Sequence, residues 1–203
     1  MNLPISRTLD FAINNLLKWP LAVAFLYFYP SIVAFFLQAF LSHIENLNLI
    51  FFLGAAIFLL TDFKYENKFL TFEHELTHAI FCFFTFKDDI RIDINSPIEG
   101  VAGTCSYKNG TNWLIQLAPY FFPTLTLFIA LMYLLIDAKY YFFLDICMGY
   151  TIAYHLKTNL MELIVSIQGS RDSDTQKAGR FFSLIVIPPL NLIIFGLIFI
   201  YIA

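Results

Sequence analysis

The chain has 203 residues, of which 59% are hydrophobic and 13% are charged, and its formal net charge is −3. Soluble domains are nearer half apolar and a quarter charged, so a chain of this length cannot bury its apolar side chains in one globular core. The composition therefore predicts an integral membrane protein in a lipid bilayer, and the small negative charge argues against a nucleic-acid partner, which would need a basic patch.

Apolar stretches divide the chain into candidate membrane segments, preceded by a more polar N-terminus. In residues 1–19, the side chains of Leu9, Ala12, Leu16 and Leu17 follow helical spacing. This pattern predicts a short helix lying at the membrane interface, with a flexible tail as the alternative. A spanning helix needs about 20 mostly apolar residues. Six segments are candidates: residues 20–41, 47–60, 69–86, 113–136, 140–167 and 181–203.

Prolines interrupt two of these segments. Pro119 and Pro123 lie in the fourth segment, and Pro188 and Pro189 lie in the sixth. Proline removes a backbone donor and clashes with the preceding helical turn. We therefore expect kinked or broken helices at these positions.

Residues 87–112 have a different pattern from the apolar segments. Between Ile90 and Ile94, isoleucines alternate with charged residues, which is the period of a β-strand. After a turn, residues 101–108 are predicted to return as a second strand, followed by a turn at Asn109-Gly110. The chain is thus predicted to form one domain over residues 1–203. Its fold class is an all-α integral membrane bundle of about six transmembrane helices, with a small β element between the third and fourth.

The third segment contains the motif HExxH, formed by His74, Glu75 and His78. On a helix, two histidines four residues apart lie on one face and can bind one metal ion through their imidazole nitrogens. Neutral imidazole suits Zn²⁺ in a site that keeps one position for water. Glu75, beside the first ligand, can then act as a base that activates this water for attack on a carbonyl.

The surroundings of the motif favour a metal site over a chance match. A chance HExxH in a chain of this length has odds of roughly one in a hundred at average composition. Each ionisable group within an apolar segment costs on the order of 2–3 kcal/mol unless it faces a partner. The alternative is that these side chains bond only one another inside the bundle. A metal explains why both histidines and the carboxylate occur together, so Zn²⁺ is the expected cofactor.

Two histidines and water leave one protein ligand to be found. His155 begins a polar stripe on the fifth segment, which continues through Thr158, Asn159 and Glu162. Asp172 and Asp174 lie in the polar stretch before the last segment, and Asp145 lies near the start of the fifth. If successive segments alternate in direction, Asp145 falls on the far side of the membrane from the second half of the HExxH helix. His155 and Asp174 then remain the stronger candidates, with Asp172 also open.

This arrangement resembles the site-2 protease superfamily of intramembrane zinc metallopeptidases, and in particular its compact bacterial branch. The matching pieces are HELTHA at residues 74–79, GVAGT in the β-like segment, LAPYFFP at the start of the next helix, and the late acidic motif RDSD. The resemblance implies His74 and His78 as zinc ligands, Glu75 as base and Asp174 as third ligand. It also implies a multi-pass protein of a bacterial inner membrane whose substrate is a membrane protein or peptide.

The chain departs from that family in two respects. In that family the third ligand often lies in a Leu-Asp-Gly motif, whereas Leu144-Asp145 is followed here by Ile-Cys. In addition, no PDZ-like insertion is present. The expected function is hydrolysis of a peptide bond in or near the membrane, with an extended substrate held by an edge strand of the β element. The alternative is a catalytically inactive homologue that acts as a metal-binding scaffold or carrier. A metal-dependent hydrolase acting on lipid or another amide is a third possibility.

Overall fold

The computed structural model describes residues 5–44, 49–61, 68–94, 103–168 and 173–202. This part of the chain is mostly helical. A π-helical turn (Ala12–Leu17) follows the first helix, and a short 3₁₀ helix (Ala138–Tyr140) precedes the seventh. The elements in chain order are α1 (Ile5–Phe11), α2 (Lys18–Ile44), α3 (Leu49–Leu60), α4 (Lys68–Phe84), β1 (Asp88–Asp93), β2 (Thr104–Lys108), α5 (Trp113–Phe121), α6 (Thr124–Leu135), α7 (Tyr141–Gln168), α8 (Asp174–Ala178) and α9 (Arg180–Ile202).

Each apolar segment predicted from the sequence coincides with a helix, but the fourth segment is broken in two. Helices α5 and α6 meet at an angle of 66°. The break falls at Phe122 and Pro123, where Phe122 is extended and Pro123 has no N–H to continue the helix. The break predicted at Pro123 is therefore confirmed. Helix α5 contains Pro119, and α9 contains Pro188 and Pro189, each as one unbroken element, so a kink at these positions stays a prediction.

Two helices within the described residues are long and apolar enough to cross a membrane. They are residues 5–42, taken through α1, the π-helical turn and α2, and residues 180–201 of α9. The bent pair α5–α6 adds a third if it crosses as one span. Helix α3 has only 12 residues, about 18 Å at 1.5 Å per residue, against a hydrocarbon core of about 30 Å. The six predicted spans thus remain a prediction.

The predicted β element is confirmed as a two-stranded antiparallel sheet. Arg91 pairs with Ser106, and Asp93 pairs with Thr104. The second strand covers Thr104–Lys108, and residues 101–102 of the predicted strand lie outside the described residues. The turn predicted after it has positive φ at Asn109 and Gly110. Both strands pack against α4, which places the sheet beside the HExxH helix.

The N-terminal segment is held to the β element by a buried ion pair. The ammonium group of Lys87 donates to both carboxylate oxygens of Asp10, at 2.6 and 2.5 Å. The side-chain amide of Asn112 donates to the same carboxylate at 2.7 Å. Asp10 lies in α1, so residues 5–17 are helical as predicted, and these contacts argue against the flexible tail; residues 1–4 lie outside the described residues, and the position of this helix at the membrane interface stays a prediction.

Helices α3 and α7 approach so closely that their main chains are in contact. A Cβ atom added at Gly54 would lie 2.0 Å from the main-chain oxygen of Ile146, and one at Gly149 would lie 1.9 Å from that of Phe51. Only glycine allows this approach from both sides of the crossing. Buried aromatic and aliphatic side chains fill the rest of the bundle. One cluster joins α2, α5 and the start of α9, and a second joins α3, α6, α7 and the end of α9.

Candidate metal centre

The two histidines of HExxH lie on one face of α4, as their spacing predicts. The Nε2 atoms of His74 and His78 are 3.2 Å apart. His78 is buried, whereas His74 is partly exposed. The pair therefore presents two imidazole nitrogens toward a common point, with access from one side.

Asp174, far away in sequence, completes the group. Its Oδ2 atom lies 3.3 Å from Nε2 of His78 and 3.6 Å from Nε2 of His74. The sequence placed Asp174 in a polar connector, but in the structure it is the first residue of the short helix α8. That helix is held in place by Ser183 of α9, whose hydroxyl donates to the main-chain oxygen of Thr175 at 2.9 Å.

The spacing of these three atoms fits a tetrahedral metal ion. Zn²⁺ binds nitrogen and oxygen ligands at about 2.0–2.2 Å, so two ligands at the tetrahedral angle are roughly 3.3–3.5 Å apart. The three measured separations are 3.2, 3.3 and 3.6 Å. Two imidazoles and one carboxylate are also a donor set typical of catalytic zinc. The residues present therefore fit a zinc ion.

The orientation of His78 is fixed by a main-chain group that no sequence pattern indicated. Its Nδ1 atom lies 2.8 Å from the main-chain oxygen of Ile115, in the first turn of α5. A carbonyl oxygen only accepts, so Nδ1 carries the proton and the lone pair is left on Nε2. Such a partner for the second ring nitrogen is usual for metal-binding histidines. That turn is set by Asn112, whose side chain accepts from the N–H of Ile115.

Glu75 lies between the histidine pair and the sheet. Its side chain lies close to the main chain of β2 near Cys105. A Cβ atom at Gly103 would lie 3.3 Å from Cγ of Glu75 and 2.4 Å from a methyl group of Thr71, so glycine permits this close approach of strand and helix. This close approach places β2 beside the metal group.

The charge of Asp174 is stabilised by its neighbours. Burial raises the pKa of its carboxyl, but the contacts with His74 and His78 outweigh this effect and hold the pKa below its ordinary value. The ammonium group of Lys177 lies 3.2 Å from the other carboxylate oxygen and acts in the same direction. Asp174 is thus held as an anion, the form that binds a metal.

A second set of buried contacts, which the sequence did not reveal, ties α4 to its neighbours. The hydroxyl of Tyr154 in α7 donates to the carboxylate of Glu73 at 3.0 Å. The hydroxyl of Thr77 donates to the main-chain oxygen of Glu73 at 2.9 Å. The same hydroxyl lies 2.5 Å from the hydroxyl of Thr124 in α6. These contacts fix the rotation of α4, and hence the direction in which its histidines point.

His155, the main rival for the third ligand, has a different role in the structure. It is buried, with Nε2 lying 2.8 Å from Nδ2 of Asn159 and 3.1 Å from Oδ1 of Asn191. Both asparagine side chains donate to the main-chain oxygen of Tyr120, at 2.7 and 2.8 Å. That oxygen lies in the last turn of α5, where helical partners run out. The network holds the end of α5, and His155 is not brought to the metal group.

The other candidates also lie apart from the centre or outside the described residues. The carboxylate of Asp145 accepts a hydrogen bond from the hydroxyl of Tyr133 at 2.6 Å, in a contact between α6 and α7. Asp172 lies outside the described residues, as does the side chain of Glu162 in the predicted polar stripe. Of the three candidates in the described part of the chain, the structure brings Asp174 to the histidines.

Comparisons with known proteins add no relative to this picture. No protein-family model, no curated protein and no solved structure matches the chain. The resemblance to site-2 proteases therefore depends on the residues of the chain itself.

Proposed function

We propose that this protein is a zinc-dependent endopeptidase that hydrolyses a peptide bond in or near a membrane. The observation that carries the proposal is the position of Asp174, whose carboxylate lies within 3.6 Å of both HExxH histidines although almost a hundred residues separate them. HExxH requires a third ligand to form a catalytic site, and this carboxylate meets that requirement.

The proposed ligands are His74, His78 and Asp174, and the proposed ion is Zn²⁺. When bound, zinc polarises a carbonyl and makes water acidic enough to be deprotonated near neutral pH. The residues contribute orientation and charge. The Ile115 carbonyl keeps the Nε2 lone pair of His78 directed at the site, and Asp174 supplies the negative charge that two neutral imidazoles lack.

Glu75 is the proposed general base and acid. It is the residue after His74 on the same helix, and its carboxylate is shielded on one side by β2. In this role the carboxylate takes the proton of the attacking water and returns it to the amine that leaves. Its packing against the main chain at Gly103 keeps the side chain at the metal group instead of directed into lipid.

The proposed substrate is an extended segment of a membrane protein or a peptide. A helical segment hides its amides in its own hydrogen bonds, so it must unwind before hydrolysis. Strand β2, which lies beside Glu75, is the proposed holder, because strand addition at its edge uses main-chain hydrogen bonds and would bring an extended segment beside the catalytic group.

The membrane arrangement is part of the same proposal. We propose that α2, α3, α4, the α5–α6 pair, α7 and α9 form six membrane segments of a multi-pass protein. Large apolar side chains on several of these helices are strongly exposed, as expected where lipid covers them. Examples are Val23 at 65%, Leu60 at 84%, Phe83 at 71% and Phe181 at 78% exposure.

The test is to compare zinc content and cleavage in the full-length protein purified in detergent. Products from a mixture of single-span membrane proteins are identified by mass spectrometry, and zinc is measured by elemental analysis. We expect Glu75→Gln to retain zinc but to lose cleavage by about 10²–10⁴-fold, since it removes only the proton transfer. Cleavage that survives in the Glu75 variant would exclude this mechanism.

The metal-binding scaffold or carrier predicts another result. In that case the wild-type protein and the Glu75→Gln variant bind zinc with the same stoichiometry, and neither of them produces any fragment.

A further inference from the structure

A polar cavity of about 190 Å³ lies next to α8. It opens where the N-terminal segment, the first turn of α5 and the end of α8 meet. Since a water molecule occupies about 30 Å³ of liquid volume, the cavity has room for several waters or for a tetrahedral oxyanion. The lining side chains used below are Asn14, Lys18, Thr111, Trp113, Gln116 and Lys177.

The charge of the lining is positive. It contains two lysines, Lys18 and Lys177, and no acidic residue. The described contacts give Lys18 no carboxylate partner: its ammonium group lies over the rings of Phe182 and Trp19, 5.1 and 6.0 Å from their centroids. Aromatic rings attract a cation without cancelling its charge. One cation at this cavity therefore lacks a counter-charge.

Neutral donors add to this preference for an anion. The side-chain amide of Gln116 has no hydrogen-bond partner among the described residues, and it lies in the first turn of α5. Amide and ammonium donors around one cavity match a phosphate group, which accepts hydrogen bonds at several oxygens.

The residues around the cavity are of the types found at the level of lipid headgroups. Near Lys18 in the sequence, four apolar side chains are 54–60% exposed: those of Phe11, Leu16, Leu17 and Trp19. These apolar side chains belong to the N-terminal part of a helix that is long and apolar enough to cross a membrane. Lysine and tryptophan side by side at the end of such a helix are typical of the interface between lipid tails and headgroups.

We propose that this cavity binds a phosphate group, with Lys18 and Lys177 as its charged partners and Gln116 as a neutral donor. The phosphate comes either from the headgroup of an anionic phospholipid or from a free phosphate ion. The site is separate from the metal group and does not depend on catalysis. Lys177 touches both, because its ammonium group also contacts Asp174.

Intrinsic fluorescence offers a direct measurement, because the chain has only two tryptophans. Trp113 lines the cavity and Trp19 lies beside Lys18. The full-length protein in a neutral detergent is titrated separately with short-chain phosphatidylglycerol, short-chain phosphatidylcholine and inorganic phosphate, at constant ionic strength. We expect a saturable change with phosphatidylglycerol, a much weaker response to phosphatidylcholine, and competition by inorganic phosphate.

Charge variants give the decisive comparison. Each lysine near a membrane surface contributes about 1 kcal/mol, so we expect roughly fivefold weaker binding for Lys18→Gln and for Lys177→Gln, and about 25-fold for the double variant. Lys18→Arg retains the charge and should bind like the wild type, which controls for folding. Lys139→Gln is the matched control, since Lys139 also lies over an aromatic ring, that of Tyr140, but far along the chain in the 3₁₀ helix.

The outcomes separate the two sources and can overturn the site. Saturation by phosphatidylglycerol alone assigns the site to a lipid headgroup, and saturation by inorganic phosphate alone assigns it to a free ion. The absence of a saturable response to either probe refutes the proposal. It is equally refuted if the double variant binds as tightly as Lys139→Gln. Zinc content is measured in every variant, so that any effect of Lys177→Gln on Asp174 is seen separately.

Discussion

The Nδ1 atom of His78 lies 2.8 Å from the main-chain oxygen of Ile115, so a metal-binding candidate on α4 is oriented by the first turn of α5. Asn112 caps that turn, and its amide group also donates to Asp10. A line of contacts thus connects the N-terminal segment to the proposed centre. The histidine that appears local in the sequence depends on residues from three separate parts of the chain.

Asp174→Asn should weaken zinc binding by more than about 100-fold, because an amide oxygen lacks the negative charge that the carboxylate offers to the cation. Mutating a residue that merely hydrogen-bonds a metal ligand typically weakens metal binding about 10–100-fold, so the loss of a ligand should cost more. Asp145→Asn is the matched control, since Asp145 bonds to Tyr133 in a separate contact. Competition with a fluorescent zinc chelator gives both affinities. Equal affinities for the two variants would remove Asp174 from the ligand set.

His155→Gln should retain full zinc stoichiometry but lower the stability of the protein. The substitution disturbs the buried network around Asn159 and Asn191, and leaving a buried polar group unsatisfied costs about 1–3 kcal/mol. Thermal unfolding in detergent, with and without zinc, measures the change. Loss of zinc with unchanged thermal stability would instead restore His155 as a ligand.

Lys87→Met should destabilise the protein by about 3–5 kcal/mol, because it leaves the buried carboxylate of Asp10 without its counter-charge. Lys108→Met is the control: its ion pair with Asp89 is exposed, and little change is expected. Denaturant unfolding in detergent compares them. The double variant Asp10→Asn with Lys87→Met should recover part of the loss. If Lys87→Met proves as mild as Lys108→Met, the pair does not hold the N-terminal segment in place.

Gly149→Ala should cost at least 1–3 kcal/mol, because its Cβ atom would meet the main-chain oxygen of Phe51, which cannot move without separating α3 from α7. Gly196→Ala is the matched control within α9, where the nearest atoms belong to the side chain of Phe35, which can rotate away. Unfolding temperatures of the two variants check this. Similar values would show that the contact of α3 with α7 is not tight.

The sequence predicted the parts of the site that depend on local geometry. The spacing of His74 and His78 is set by the helical period alone, and the break at Pro123 follows from its missing N–H. Which of Asp174, His155 and Asp145 lies beside the two histidines could not be predicted from the sequence, because it depends on how α8 packs against α5 and α9. The Ile115 carbonyl was also beyond it, since every residue has such a group and only the tertiary structure selects one.

The glycine contact between α3 and α7 has a consequence for how a helical substrate would enter. Two helices whose main chains touch at Gly54 and Gly149 leave no gap into which a third helix could slide. Helix α7 also carries Tyr154, which holds Glu73 beside the histidines. If the proposed function holds, this pair of helices forms a side of the bundle through which a substrate helix cannot pass. We expect any lateral gate to open on another face of the bundle.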